Sequence, residues 1–152
     1  MLLLIVGGAA ACSSGGGSSK PLTKSELIAL GDKVCSQSGK KIDGISSPSG
    51  QVTDETPPAQ VRKWAKPYAA LADILDQEAL ALGALTPPSA DSASYTKVVS
   101  DLRIQAEYAK QAAAAAKAGN AIAVQKALAS QKSSNADSEE FLTGYGFKVC
   151  GT

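Results

Sequence analysis

Apolar side chains recur at intervals of three and four residues along most of this chain, and no other feature constrains the fold as much. The clearest run places seven such residues on one face after Pro57-Pro58: Val61, Trp64, Tyr68, Leu71, Leu75, Ala79 and Leu82. This spacing is typical of an α-helix, since a half-buried strand would alternate apolar and polar residues. Pro67 interrupts the run. Because proline has no backbone N–H, the sequence predicts a kink or a break within one or two residues of Lys66.

Three further segments show the same helical spacing. The first begins at an N-cap, Thr23 or Ser25, and is predicted to stop near Gly39, ahead of a loop over residues 40–58 that is either functional or mobile. The next contains an apolar stripe from Tyr95 to Ala116 and the run Ala112–Ala116, and alanine is a strong helix former. The last runs from about Ala121 to Leu142. Because short connections make successive long helices antiparallel, the sequence predicts an all-α fold, an antiparallel four-helix bundle.

Charge and composition argue against several classes of function. Lys and Arg number 15 against 14 Asp and Glu, so the net charge of +1 gives no electrostatic case for nucleic acid as a partner. The chain contains no histidine, the commonest general acid–base residue and metal ligand. No phosphate-binding loop, nucleophile motif or metal-ligand spacing is present. The sequence therefore predicts no catalytic, metal-binding or cofactor-binding residue.

The first residues have the pattern of an export signal. Leu2–Val6 and Gly7–Ala11 form an apolar run that is too short to span a bilayer but suits a signal-peptide core. Residues Ala9, Ala10, Ala11 and Cys12 resemble the lipobox of bacterial lipoproteins, in which a signal peptidase cuts just before the cysteine. The resemblance implies that residues 1–11 are a signal peptide and that Cys12 carries a diacylglyceryl group. The alternative is a plain secretory signal that is cleaved nearby.

Two observations accompany this resemblance. No Lys or Arg precedes the apolar run, although signal peptides ordinarily begin with basic residues, so we expect the true start codon to lie upstream of Met1. Residues 13–19 consist only of Ser and Gly, a flexible coil that reaches on the order of 15 Å. We therefore interpret residues 12–21 as a lipidated cysteine with its tether and residues 22–152 as the helical domain. Paired acyl chains of the palmitate type would hold it stably on the extracytoplasmic face of the cell membrane.

Cys35 and Cys150 remain once Cys12 is assigned to lipid. Export places them in an oxidising compartment, where disulfides persist, so we predict that they form one disulfide between the first helix and the C-terminal tail. The alternatives are a metal pair or a redox couple. Neither is favoured, because the sequence has no accompanying histidine and no Cys-x-x-Cys motif.

The C-terminal sequence FLTGYGFKVCG, with a cysteine in the first helix, resembles small secreted helical lipoproteins of Gram-positive envelopes. Gly144 and Gly146 are predicted to end the last helix. The residues that follow are expected to run extended along the bundle, with alternation at Tyr145, Phe147 and Val149. The resemblance implies no activity.

Carboxylates and aromatic side chains are the remaining candidates for a site. Paired carboxylates occur on two helices, among Gln and Ser, and a solvated face is the favoured interpretation: Asp73 and Asp76, then Asp137, Glu139 and Glu140. Four aromatic residues could contact a ligand or partner, although core packing is the commoner role at helical spacing: Trp64, Tyr68, Tyr95 and Tyr108. Tyr108 lies outside the apolar stripe of its helix and is expected to face outward.

These observations predict a membrane-anchored helical lipoprotein with a binding or structural role in the cell envelope. Its expected partners are the membrane, through the anchor, and an envelope protein. A carrier of a small apolar ligand or lipid between the helices is the alternative, which an apolar cavity would favour. An enzyme is the second alternative, which clustered buried carboxylates with raised pKa values would favour.

Overall fold

The structure is a computed structural model that describes residues 20–133 and 136–150. The predicted signal peptide, Cys12 and residues 13–19 of the tether lie outside the described residues. Within the described ranges the fold is all-α and contains no strand, which confirms the predicted fold class. The helices are α1 (Lys24–Asp43), α2 (Pro58–Val61), α3 (Ala65–Gly83), α4 (Ser92–Ala118), α5 (Ala121–Ser133) and α6 (Ala136–Tyr145).

Helix α1 begins at a capping box, with Thr23 rather than Ser25 as the N-cap. The Thr23 hydroxyl accepts a hydrogen bond from the backbone N–H of Glu26, and the Glu26 carboxylate accepts one from the backbone N–H of Thr23. Each bond satisfies a donor that the first turn leaves without a partner. Just ahead of the cap, the Leu22 N–H donates to the Thr86 carbonyl over 2.9 Å, which ties the start of the helical body to the α3–α4 connection.

The end of α1 lies beyond the predicted stop, since the helix continues through Gly39 to Asp43. Contacts with α3 explain this extension. Ser38 is buried against α3, and the Lys41 ammonium donates to the Gln77 side chain over 2.9 Å. Tertiary contacts of this kind supply most of the stability of helices in proteins, so one glycine of low propensity does not end the helix.

The loop before α2 is shorter than predicted and is attached to the body. It covers residues 44–57, and Val52 within it is buried against α5 and the end of α4. The Gln125 side-chain amide also donates to the Val52 carbonyl over 3.1 Å. A buried side chain and a hydrogen bond therefore fix the middle of this loop.

The predicted break ahead of Pro67 is confirmed. Helix α2 passes into a 3₁₀ turn at Arg62–Trp64, and the α-helix resumes at Ala65. Pro67 is then the third residue of α3. The first four N–H groups of a helix have no partner within it, so the missing proline donor costs nothing at this position.

Helices α3 and α4 run antiparallel along most of their length. The Tyr95 hydroxyl, near the start of α4, donates to the Leu82 carbonyl near the end of α3 over 3.0 Å. Further along α4, the Lys110 ammonium pairs with the Asp76 carboxylate over 2.7 Å. The residue numbers at these contacts therefore increase along α4 as they decrease along α3, which is the pattern of two antiparallel helices. Helix α1 also packs against α3.

After α4, helices α5 and α6 cover the segment in which the sequence predicted a helix from about Ala121 to Leu142. Helix α5 packs its Val124 and Ala127 side chains against the end of α4, while Leu142 of α6 packs near the start of α4. Ser138 donates a hydrogen bond to the Asp101 carboxylate of α4. Residues 134–135, between the two helices, lie outside the described residues.

The core divides into three apolar clusters along the helices. One contains the disulfide and the C-terminal residues, and we call it the tail cluster: Leu27, Cys35, Leu82, Tyr95, Val98, Val99, Leu142, Tyr145 and Phe147. A second cluster lies where α5 meets α4 and is mostly alanine and valine. A small third cluster joins α3 to α4 between them: Ala72, Leu75, Ala106 and Ala109. Alanine allows these helices to approach closely.

The predicted disulfide between Cys35 and Cys150 is present, with the two Cα atoms 5.2 Å apart. The path of the tail differs from the predicted extended segment, because Gly144 lies inside α6 and only Gly146, at φ 108°, follows the helix end. Phe147 is buried and Val149 is 40% exposed.

The tail turns because its backbone converges on one carboxylate. The backbone N–H groups of Lys148, Val149 and Cys150 donate to the Asp32 carboxylate oxygens of α1, over 3.1, 2.9 and 3.3 Å. A straight strand could not direct three successive N–H groups to one side, since its groups alternate. Asp32 and the disulfide therefore hold the tail on α1 together.

Candidate functional site

A groove of about 540 Å³ opens beside the disulfide, between α1, α3, α4 and the tail. We call it the disulfide groove. Its volume lies within the range of roughly 300–1,000 Å³ that is usual for small-molecule sites. The apolar part of its wall comes from Cys35, Ile42, Leu75, Leu102, Val149 and Cys150. The polar part comes from Ser36, Lys40, Asp43, Glu78, Gln105 and Glu139.

Glu78 is the most unusual side chain of this wall. It is only 9% exposed, although it is an ionisable residue of α3. Burial raises the pKa of the Glu78 carboxyl above its ordinary value, and a hydrogen bond with Ser38 of α1 opposes part of this rise. Gln105 of α4, also buried, lines the same wall. The groove thus presents a buried hydrogen-bonding carboxyl group next to an aliphatic surface.

Sequence reasoning did not single out Glu78, although a signal was available. Glu78 lies three residues after Leu75 and four before Leu82, so it occupies a position of the apolar stripe. Gln105 similarly follows Leu102 by three residues on α4. A polar residue at an apolar stripe position faces the interior, where it needs either a partner or a function.

The raised pKa of Glu78 predicts how stability changes with pH. Between the ordinary value of 4.5 and the higher folded-state pKa, the folded protein keeps a proton that the unfolded chain releases. The contribution of Glu78 to the free energy of unfolding is therefore complete below pH 4.5 and is lost as the pH rises through the folded-state pKa. The total loss is about 1.4 kcal/mol for each unit by which the folded-state pKa exceeds the ordinary value.

Glu78→Gln removes this ionisation and can keep the hydrogen bond with Ser38. We expect the variant to unfold at a higher temperature than the wild type above the titration window, and to show a flatter dependence of melting temperature on pH. Asp73→Asn is the matched control, because Asp73 is an exposed residue of the same helix. A variant whose melting temperature follows the wild-type pH curve would contradict the assignment.

A second buried carboxylate, Asp101, has a structural role outside the groove. Burial alone would raise its pKa, but hydrogen bonds from Ser138 and Lys97, together with the Lys97 charge, outweigh burial and lower the pKa. The Lys97 ammonium lies 2.9 Å from the carboxylate. Asp101 is thus held ionised and connects α6 to α4.

A deeper cavity between the helices measures about 40 Å³ and lies against Cys35, Glu78 and Leu142. This volume is far below the roughly 300 Å³ at which small-molecule sites begin. It offers no space for an acyl chain. A small-molecule ligand of ordinary volume therefore fits the disulfide groove and not this interior cavity.

None of the four predicted aromatic residues lines the disulfide groove. Trp64 and Tyr68 stack on each other, with ring centroids 5.5 Å apart, beside the second core cluster. Tyr95 is buried in the tail cluster, and burial raises the pKa of its hydroxyl to about 12. Tyr108 is half-buried. The structure brings together only Trp64 and Tyr68, as packing residues.

The predicted carboxylate pairs do not form joint sites. Asp73 is exposed, and Asp76 pairs with Lys110. Glu139 lies at the disulfide groove, whereas Glu140 borders a separate hollow beside Tyr145. The side chain of Asp137 lies outside the described residues.

In the described part of the chain, no group of three or more Asp, Glu or Cys side chains could hold a metal ion. Among the helices of residues 20–133 and 136–150, none combines the length and the apolar character needed to cross a membrane. Comparison with protein-family models, curated proteins and solved structures finds no match to this chain.

Proposed function

We propose that this chain is a lipid-anchored binding protein on the extracytoplasmic face of the cell membrane, and that the disulfide groove is its binding site. The observation that carries the proposal is the Cys35–Cys150 disulfide with a groove of about 540 Å³ beside it. Disulfides persist in exported proteins, which agrees with a lipobox at Ala9–Cys12. Acyl chains on Cys12 and the Ser/Gly tether would then hold the groove near the membrane.

The proposal treats the helical stretches α1, α2–α3, α4 and α5–α6 as one antiparallel four-helix bundle. The antiparallel contacts of α3 with α4 support this arrangement, as does the short turn between α4 and α5. Gly119 in that turn has φ 77°, the left-handed conformation that glycine adopts readily. Bundles commonly place ligands between their helices, as the groove between α1, α3 and α4 would do.

Binding is favoured over the two alternatives by the walls of the groove. A carrier of an apolar ligand or lipid needs a largely apolar cavity, whereas half of the named groove residues are polar and the enclosed cavity is about 40 Å³. An enzyme needs a base, a nucleophile or an electrophile placed together. The groove offers one buried carboxyl group, Glu78, beside a disulfide.

The anchor is tested by Cys12→Ser in a protein expressed with a signal peptide that begins with basic residues. We expect the wild type to enter the detergent phase of a phase-separation assay and to incorporate labelled palmitate. Cys12→Ser should remain in the aqueous phase without label, because no sulfur is available for acylation. Cys35→Ser is the matched control, which breaks the disulfide but keeps the Cys12 sulfur and should still enter the detergent phase. Equal partitioning of wild type and Cys12→Ser would refute lipidation.

A further inference from the structure

We propose that the ligand of the disulfide groove is an organic cation, with an ammonium group paired to Glu78 and an aliphatic stem against Leu75 and Leu102. This inference rests on the proposed binding role of the groove. It names the chemical class of the ligand from the charges, the burial and the apolar surface of the wall.

The charges of the wall favour a cation. Three carboxyl side chains line the groove, those of Asp43, Glu78 and Glu139, against the one ammonium group of Lys40. These charges belong to α1, α3 and α6, so the carboxyl groups approach the groove from several sides. An anionic ligand would meet like charges here, whereas a cation finds complementary ones.

The burial of Glu78 makes this carboxyl group the main contact. Ser38 of α1 forms a hydrogen bond with it. The other polar or charged side chains of the groove and of the small cavity beside it are Ser36, Lys40 and Asp43 of α1, Gln105 of α4, and Ser138 and Glu139 of α6. A buried carboxylate is disfavoured without a counter-charge at contact distance. Burial accordingly raises the pKa of Glu78. When an ammonium ion binds, the Glu78 carboxyl group releases its proton to the solvent and the carboxylate pairs with the cation.

The apolar part of the wall defines the rest of the ligand. Ile42, Leu75 and Leu102 form an aliphatic surface next to Glu78, so a stem of methylene groups can leave water as the ammonium group reaches the carboxyl. A purely apolar ligand would instead leave the buried Glu78 and Gln105 groups without new hydrogen bonds. The wall therefore suits an alkylammonium group, which occurs both in free amines and in lysine side chains.

The inference is tested by nuclear magnetic resonance titrations of the full helical domain. Hexylammonium, hexanol and hexanoate share one chain length and differ in charge. Backbone amide shifts of the groove residues report binding, and the side-chain carboxyl shift of Glu78 reports its pKa. We expect hexylammonium to bind at least about tenfold more tightly than hexanol, which is about 1.4 kcal/mol. Only hexylammonium should lower the pKa of Glu78.

Three variants separate the roles of charge and space. Glu78→Gln should lose about tenfold or more of its affinity for hexylammonium and keep its affinity for hexanol. Asp73→Asn removes one carboxylate of the same helix outside the groove wall and should bind like the wild type. Gly39 lies in the wall, and no atom lies within 4 Å of the point that a Cβ atom would occupy there, so Gly39→Phe should fill the groove and abolish binding of every probe.

Nα-acetyl-lysine amide, titrated separately, distinguishes a lysine side chain from a free amine as the source of the ammonium group.

The outcomes distinguish this inference from the proposed function. Binding of hexanol or hexanoate as tight as that of hexylammonium would overturn the preference for a cation and leave the groove as a binding site. Hexylammonium binding that Glu78→Gln does not weaken would also overturn it. If no probe shifts any groove resonance, the binding role of the groove fails as well.

Discussion

Replacing either Cys35 or Cys150 by Ser is expected to lower the free energy of unfolding by about 4 kcal/mol, and replacing both is expected to lower it no further. The disulfide joins residues separated by 115 positions, so it removes a large part of the freedom of the unfolded chain. Each single variant loses the whole bond. The second substitution therefore removes nothing more.

Chemical denaturation of the wild type and the three variants measures this effect. The wild type under reducing conditions should reproduce the variants, and Cys12→Ser should unfold like the oxidised wild type because Cys12 takes no part in the bond. Losses that add up in the double variant would mean that the two cysteines act separately. The Asp32 contacts with the tail do not depend on the sulfur atoms, so some tail structure should persist in every variant.

Gly31→Ala is expected to destabilise the protein by about 1–3 kcal/mol, although alanine is the better helix former. A Cβ atom at residue 31 would lie 2.5 Å from the Cε1 atom of Phe147. Phe147 cannot yield easily, because it is 5% exposed and stacks on Tyr145 with ring centroids 5.7 Å apart. The added methyl group must therefore displace the tail or the start of α1.

Gly39→Ala is the matched control for this prediction, since it makes the same change in the same helix with no atom within 4 Å. It should stabilise the protein by about 0.5–1 kcal/mol. Phe147→Leu shortens the opposing side chain, so its loss and that of Gly31→Ala should combine to less than their sum. Thermal denaturation of the four variants provides the comparison. Stabilisation by Gly31→Ala to the level of Gly39→Ala would show that the tail does not pack on residue 31.

The candidate site could be predicted from the sequence only in part. The disulfide at the edge of the groove was predicted, because export and the count of cysteines left one pairing. The aromatic residues proposed as contacts lie elsewhere, with Trp64, Tyr68 and Tyr95 in or against the core and Tyr108 half-buried, since a helical stripe does not tell which of its members border a cavity. Glu78 occupies a position of the apolar stripe, which is a sign of burial that the sequence contains. That its carboxyl group lies at a groove depends on α1 and α4 packing beside α3, which the sequence pattern does not show.

Local pattern by itself determined that this chain is helical, that α1 starts at an N-cap at Thr23 or Ser25 and that the helix breaks ahead of Pro67. These features depend on residues close in sequence: the three-four spacing, one hydroxyl near a glutamate and one missing N–H. Only the tertiary structure decided that α1 passes Gly39, that the tail turns around Asp32 and that Glu78 lies buried at a groove. Each of these depends on contacts between distant residues, such as the three tail N–H groups that meet a carboxylate more than a hundred positions earlier. Such contacts stabilise the fold by more free energy than the local conformational preferences of a glycine or of the tail residues oppose. No short stretch of the sequence contains both partners of such a contact.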